Sequence, residues 1–132
     1  MRGLMVRTAQ RQTWRTPVWL YAQLDAEFHF DFDPCPADPI DAFDGLSAPW
    51  GKRNFVNPPY RNAELERWVA KCVMEWRLGK TVVALLPVFA DQNWWHDYVL
   101  VTTTELRWIR GRLSFDDDGG RPRFASVVAV WQ

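Results

Sequence analysis

Four consecutive residues, Asn57-Pro58-Pro59-Tyr60, combine a carboxamide, two rigid imino acids and an aromatic ring. A short apolar run, Phe55-Val56, leads into them, and a long amphipathic segment follows. At the end of a strand such a set makes a pocket for a flat, polar, amino-bearing group. An amine conjugated to an aromatic ring is a poor nucleophile, because its lone pair is delocalised. Acceptors that draw on its protons let the nitrogen pyramidalise. The side-chain oxygen of Asn57 is one such acceptor, and the Pro58 carbonyl is a second. Proline fixes its own φ and restricts the residue before it, so Asn57 and Pro58 hold an extended bend without relying on packing. Tyr60 offers a ring face, and stacking a base on it is worth about 1–3 kcal/mol. The plainer reading of the same residues is a loop with a packed tyrosine.

The elements that must position this tetrapeptide follow from periodicity. Thr16-Pro17 starts a helix, with Thr16 as cap and Pro17 at the first helical position; Trp19, Leu20 and Leu24 give it an apolar face. Phe28, Phe30 and Phe32 alternate with polar residues, a strand pattern. Asp33 to Asp44 holds three prolines and four aspartates and reads as loop. Asn54 to Asn57 is a short strand stopped by the prolines. Ala63 to Leu78 repeats apolar residues at helical spacing, and Gly79 ends it. Thr81 to Val88 is a continuous apolar run, a buried strand. Asn93 to Val101 is a short helix carrying Trp94 and Trp95, one in the core and one partly exposed. Leu106 to Ile109 and Phe124 to Trp131 are strands, with a turn at Asp116 to Gly120.

This order predicts an α/β sheet with helices on its faces and a C-terminal β-hairpin. Ligands of such sheets bind beyond the carboxyl ends of the strands. Asp33-Pro34-Cys35 and Asn57-Pro58-Pro59-Tyr60 both fall at such ends, and so belong to one site.

The chain is 132 residues long, enough for one domain. Residues 1–13 are expected to be a flexible basic arm, and 14–132 a single domain. Net charge is zero, but unevenly spread. Residues 1–20 hold four arginines and no acid, residues 21–50 seven acids and no Lys or Arg, and residues 107–123 five arginines. Basic ends suit phosphates, although uneven surface charge alone explains the same pattern. Nine tryptophans serve the core or base stacking. Cys35 and Cys72 match no metal spacing and no disulfide framework. No apolar run is long enough to span a membrane. These features predict a soluble protein of a reducing compartment, with no metal.

With Thr16-Pro17, Asp33-Pro34 and Asn57-Pro58-Pro59-Tyr60 in this order, the chain resembles the phage-type DNA N-6-adenine-methyltransferases. The resemblance runs from Thr16 to Trp131. Supporting matches are Asp44-Gly45-Leu46 with Trp50, Leu85-Leu86-Pro87 followed by Asp91 and Trp94-Trp95, and Gly111-Arg112-Leu113 with Phe115. It implies a minimal Rossmann-like sheet that uses S-adenosylmethionine to methylate the 6-amino group of adenine in DNA, with the base flipped out or single-stranded. Asn57, Pro58 and Tyr60 would be the catalytic residues, and Pro59 would lie beside the base. Thr16, Pro17, Asp33, Pro34, Cys35 and Asp44 would hold the cofactor. Thr16-Pro17 is similar to an element near its methionine part, and Asp44 to the acid that meets its adenine amine. Phe115 would be a second ring clamping the base, and Arg61, Arg110 and Arg112 would contact DNA. The resemblance also implies the cytoplasm of a bacterial host of a phage or prophage.

The chain departs from the pattern in three ways. Asp33-Pro34-Cys35-Pro36-Ala37-Asp38 lacks the closely spaced glycines of a typical cofactor loop. Asp33 to Asn57 is too short for two further strands, so the cofactor site is reduced or completed by another subunit, as in a homodimer. There is no separate target-recognition domain. Two other readings stay open: an RNA base or a protein glutamine as the acceptor, and a non-catalytic DNA-binding partner module.

Overall fold

The computed structural model describes residues 15–36, 43–113 and 124–132. The arm at 1–13, the Asp116 to Gly120 turn and Phe115 lie outside the described residues. Helix α1 spans Val18–Phe28 and buries Leu20, Leu24 and Phe28, a stripe at four-residue spacing. It opens one residue later than expected. Pro17 is itself the cap, with ψ 135°, and its carbonyl accepts from Leu20 and Tyr21. Thr16 does not cap the helix, because its hydroxyl oxygen accepts a bond from the Asn57 amide instead.

The strand expected at Phe28–Phe32 is a second correction. Phe28 closes α1, and His29 turns the chain in a left-handed conformation at φ 54°. One parallel bridge, Phe32 to Asn54, is what remains of the strand. The alternating rings serve packing: Phe30 stacks on Phe28 at 6.0 Å and leans on Phe55 at 5.4 Å. A wedge between helix and sheet needs apolar side chains as much as a strand does, so the pattern looked alike.

Strands β1 (Arg53–Val56), β2 (Thr81–Pro87), β3 (Glu105–Trp108) and β4 (Ser126–Trp131) form one sheet in the order β1-β2-β4-β3. β1 and β2 are parallel, with Phe55 opposite Val83. β4 is antiparallel to both β2 and β3, with Val128 between Leu85 and Arg107. The expected terminal hairpin pairing is therefore present. β1, β2 and β3 all point the same way, so their carboxyl ends share one edge.

Helix α2 (Asn62–Arg77) carries the parallel crossover from β1 to β2 and buries Leu65, Trp68, Val69, Cys72 and Val73. After β2 comes a π-helix (Trp95–Val99), which runs into a single turn, α3 (Leu100–Thr102). Both tryptophans there are buried, contrary to the expectation that one is partly exposed. Trp94 packs between Phe89 and Trp95, and Trp95 leans on Trp108.

Side chains alternate across a sheet, so its two faces can be told apart. Tyr21 of α1 meets Phe55 edge-on at 5.1 Å, which places α1 over the Phe55, Val83 and Val128 face. On the opposite face, Trp131 donates its indole N–H to Thr102 at 2.8 Å. The sheet thus carries helices on both sides. Val82 to Leu86 of β2 are almost wholly buried, as a central strand covered on both faces must be.

Candidate active site

The shared carboxyl edge gathers the ends of β1 and β2, the start of α1 and the Asp33 loop. Asn57 follows β1 and is 6% exposed. Its amide nitrogen donates to Thr16 Oγ1 at 3.0 Å, and its oxygen accepts from the Tyr60 hydroxyl at 3.0 Å. The same hydroxyl lies 3.2 Å from the Leu85 carbonyl. A phenol has one proton, so it donates to one of these oxygens at a time. Burial, and then the neighbouring Cys35, push the Tyr60 phenol far above its ordinary range. It remains a neutral hydroxyl that neither gives up nor takes on a proton.

The Tyr60 ring, read from sequence as an open stacking face, is buried. Phe124 meets it edge-on at 5.3 Å, and Phe89 meets Phe124 at 5.4 Å. Sequence reasoning missed Phe89 and Phe124. The available signal was an aromatic residue just outside each of two adjacent strand ends. Pro58 is buried and Pro59 half-buried. Arg61 is exposed and pairs with Glu64 at 3.8 Å.

Asp33 and Cys35 sit beside this cluster. Burial raises the Asp33 carboxyl above the usual range, and the bond from the Cys35 N–H at 2.9 Å offsets only part of that. Burial, then the carboxylates of Asp33 and Glu64, push the Cys35 thiol up to about 12. Cys35 is therefore a protonated packing residue rather than a nucleophile.

Asp44 caps its own turn. The Ser47 hydroxyl at 2.7 Å and the Leu46 N–H at 3.0 Å hold its carboxyl below the usual range, ionised and in solvent. The turn abuts the Asp33 loop: a Cβ on Gly45 would lie 1.9 Å from the Pro34 carbonyl oxygen. Only glycine permits that approach. The Trp50 indole clamps the turn by donating to the Gly45 carbonyl at 2.7 Å.

Trp50 is held in turn by a buried charge cluster that the sequence did not announce. Glu75 accepts from Lys71 at 2.8 Å, from Lys80, and from the Trp50 backbone N–H at 3.3 Å. Burial raises the Glu75 carboxyl, but these bonds outweigh it and hold the group below its usual range. Arg110 and Arg112 lie past the end of β3, exposed, at the far side of the same edge. Phe115 lies outside the described residues.

The donor chemistry fits S-adenosylmethionine. A carboxylate whose desolvation is poorly offset favours a cation, and the cofactor brings an α-ammonium. An ionised acid at a turn suits an adenine amine. Among the described residues, no group of three or more His, Cys, Asp or Glu could hold a metal ion.

A sheet running parallel and then antiparallel, helices on both faces, and an Asn-Pro-Pro-Tyr bend at its carboxyl edge are consistent with the Rossmann-like fold of S-adenosylmethionine-dependent methyltransferases. The family described as DNA N-6-adenine-methyltransferase (Dam) matches residues 4–127, and the chain belongs to it. It is an enzyme that transfers a methyl group from S-adenosylmethionine to the 6-amino group of adenine in DNA. No curated protein and no solved structure matches the chain. Among the described residues, no helix is long and apolar enough to cross a membrane.

Proposed function

We propose that Asn57, Pro58 and Tyr60 form the catalytic group of this adenine methyltransferase. The observation that carries the assignment is the chain of hydrogen bonds from Thr16 through Asn57 to Tyr60 and Leu85. It fixes a carboxamide at the carboxyl edge, where a substrate of this fold binds. A carboxamide oxygen has two acceptor positions. It can therefore accept from the target amine while the phenol donates to it, or while the phenol turns to Leu85. The Pro58 carbonyl supplies the second acceptor. Drawing on both amine protons localises the nitrogen lone pair toward the methyl group. The cofactor supplies an activated methyl on sulfur, so positioning and polarisation are what the protein adds.

Thr16 and Pro17 stand at the amino end of α1, whose dipole favours a carboxylate such as that of the methionine part. Asp33 pairs with the α-ammonium, Pro34 and Cys35 lie against the cofactor, and Asp44 takes the cofactor's adenine amine. The target base enters beside Pro59 and stacks on Tyr60 once Phe124 has moved aside. Phe115 supplies a second ring, and Arg61, Arg110 and Arg112 meet DNA phosphates. The short cofactor loop motivates a homodimer in which a second copy completes the site; sedimentation of the cofactor-saturated chain decides between one copy and two. The setting is the cytoplasm of a bacterial host carrying the phage or prophage.

The test is transfer of tritiated methyl to adenine-containing DNA. Asn57→Ala is expected to lower kcat by at least about 100-fold, the scale for losing one polarising group, while calorimetry still finds cofactor binding. Undiminished incorporation removes the mechanism.

A further inference from the structure

A second recess opens at the same carboxyl edge, on the side of α1 that faces β3. It encloses about 500 Å3, within the range of small-molecule sites. Leu20, Leu24, Leu113 and Val128 make it apolar. Trp19 and Gln23 stand on its α1 wall. The Trp19 side chain is 55% exposed, so a large ring face meets solvent there. The opposite rim carries Arg110 and Arg112, set apart by a turn at Gly111 with φ +70°. Glu27 lies at one end but is already taken by Arg107, in a bidentate pair with both contacts at 2.7 Å. Three arginines against one glutamate leave the lining net cationic. Trp108 also borders the recess, but its ring lies on the other face against Trp95.

The recess is distinct from the site around Asn57. That site lies at the end of β1, whereas the recess lies over β4 and β3, two to three strands away. At about 4.8 Å per strand the floor of the recess lies about 10–14 Å from the end of β1, a reach of a few nucleotides. An exposed indole, a carboxamide, an apolar floor and two guanidinium groups with no acidic partner among the described residues match the parts of one nucleotide. The ring face takes a base, Gln23 reaches its edge, and the arginines take phosphates.

We propose that this recess holds an unstacked nucleotide of the DNA strand being modified, a few steps from the target adenine. The proposal rests on the reading that Asn57 receives that adenine. It gives the protein a second grip on the strand, and it favours single-stranded or locally opened DNA over closed duplex.

The test uses a fluorescein-labelled oligothymidylate of about ten residues, which contains no adenine, and reads anisotropy against salt. Trp19→Ala is expected to weaken binding about tenfold or more with the salt slope unchanged. Arg112→Gln is expected to weaken it and to lower the slope by about one. Thermal melts of both variants check the fold, which these exposed positions leave intact. Affinity within twofold of the parent protein for both variants overturns the proposal. So does an Arg112→Gln loss with no change in slope. The two readings fail separately. Trp19-dependent binding with no methyl transfer to DNA leaves the recess standing and removes the catalytic assignment. Normal methyl transfer with Trp19-independent binding removes the recess alone.

Discussion

Gly45→Ala probes how two loops build the proposed cofactor site. The added Cβ would lie 1.9 Å from the Pro34 oxygen and 2.8 Å from the Trp68 ring, where ordinary contact begins near 3.4 Å. The shortfall of about 1.5 Å against backbone cannot be relieved by a rotamer change. Trp50 ties the Gly45 carbonyl at 2.7 Å, and Trp50 is itself held by Glu75, so the turn resists moving. The Asp33-Pro34-Cys35 loop must give way, carrying Asp33 by about 1 Å. Losing a well-placed hydrogen bond to a charged group costs about 2.7 kcal/mol, or about 100-fold in affinity. Overpacking costs the fold about 1–3 kcal/mol besides. The assay is isothermal calorimetry with S-adenosylmethionine, alongside a thermal melt without ligand. The expected result is a cofactor Kd raised about 100-fold in a protein that still melts cooperatively. A variant that binds the cofactor as tightly as the parent refutes the idea that this contact shapes the site.

Two further outcomes follow from buried charge. Asp33 has a raised carboxyl pKa, so its contribution to stability is present at low pH and is lost as pH rises through that raised value. At neutral pH it is a cost that the proposed pairing with the cofactor's ammonium would relieve. Cofactor affinity should therefore fall as pH drops through a value above the ordinary carboxylate range. Asp33→Asn should weaken binding about 10- to 100-fold while raising the ligand-free Tm at pH 7; a lower Tm contradicts this account. Glu75→Gln leaves Lys71 and Lys80 without a counter-charge in a cluster whose carboxylate is 2% exposed. Losing one partner of a buried pair costs about 3 kcal/mol or more, about 10 °C in Tm for a chain of this size. A loss of only 2 °C on a differential scan would show that solvent already screens the lysines.

Much of the architecture was legible because it is written in local pattern. The run Thr81 to Val88 could only be a strand covered on both faces, and it became the centre of the sheet. The Leu65-to-Trp76 spacing could only be a helix. Asn57-Pro58-Pro59-Tyr60 announced a stiff bend through proline's own restrictions. The errors came where local signal and tertiary demand diverge. Phe28 to Phe32 alternates like a strand, yet the rings fill a wedge between α1 and β1. Thr16 looks like a helix cap, yet a partner 41 positions away claims its hydroxyl.

The sequence by itself determined that a carboxamide, prolines and an aromatic ring would end a strand, and which segments would become helices and strands. Those outcomes rest on backbone restriction and residue periodicity, which act over a few neighbours. Only the tertiary structure decided that Thr16 meets Asn57, that Gly45 touches Pro34, that Glu75 reaches the Trp50 backbone, and that Tyr60 is a buried strut beneath Phe124. Each of these depends on the fold bringing separate segments into contact, and no local propensity encodes a distance across the fold.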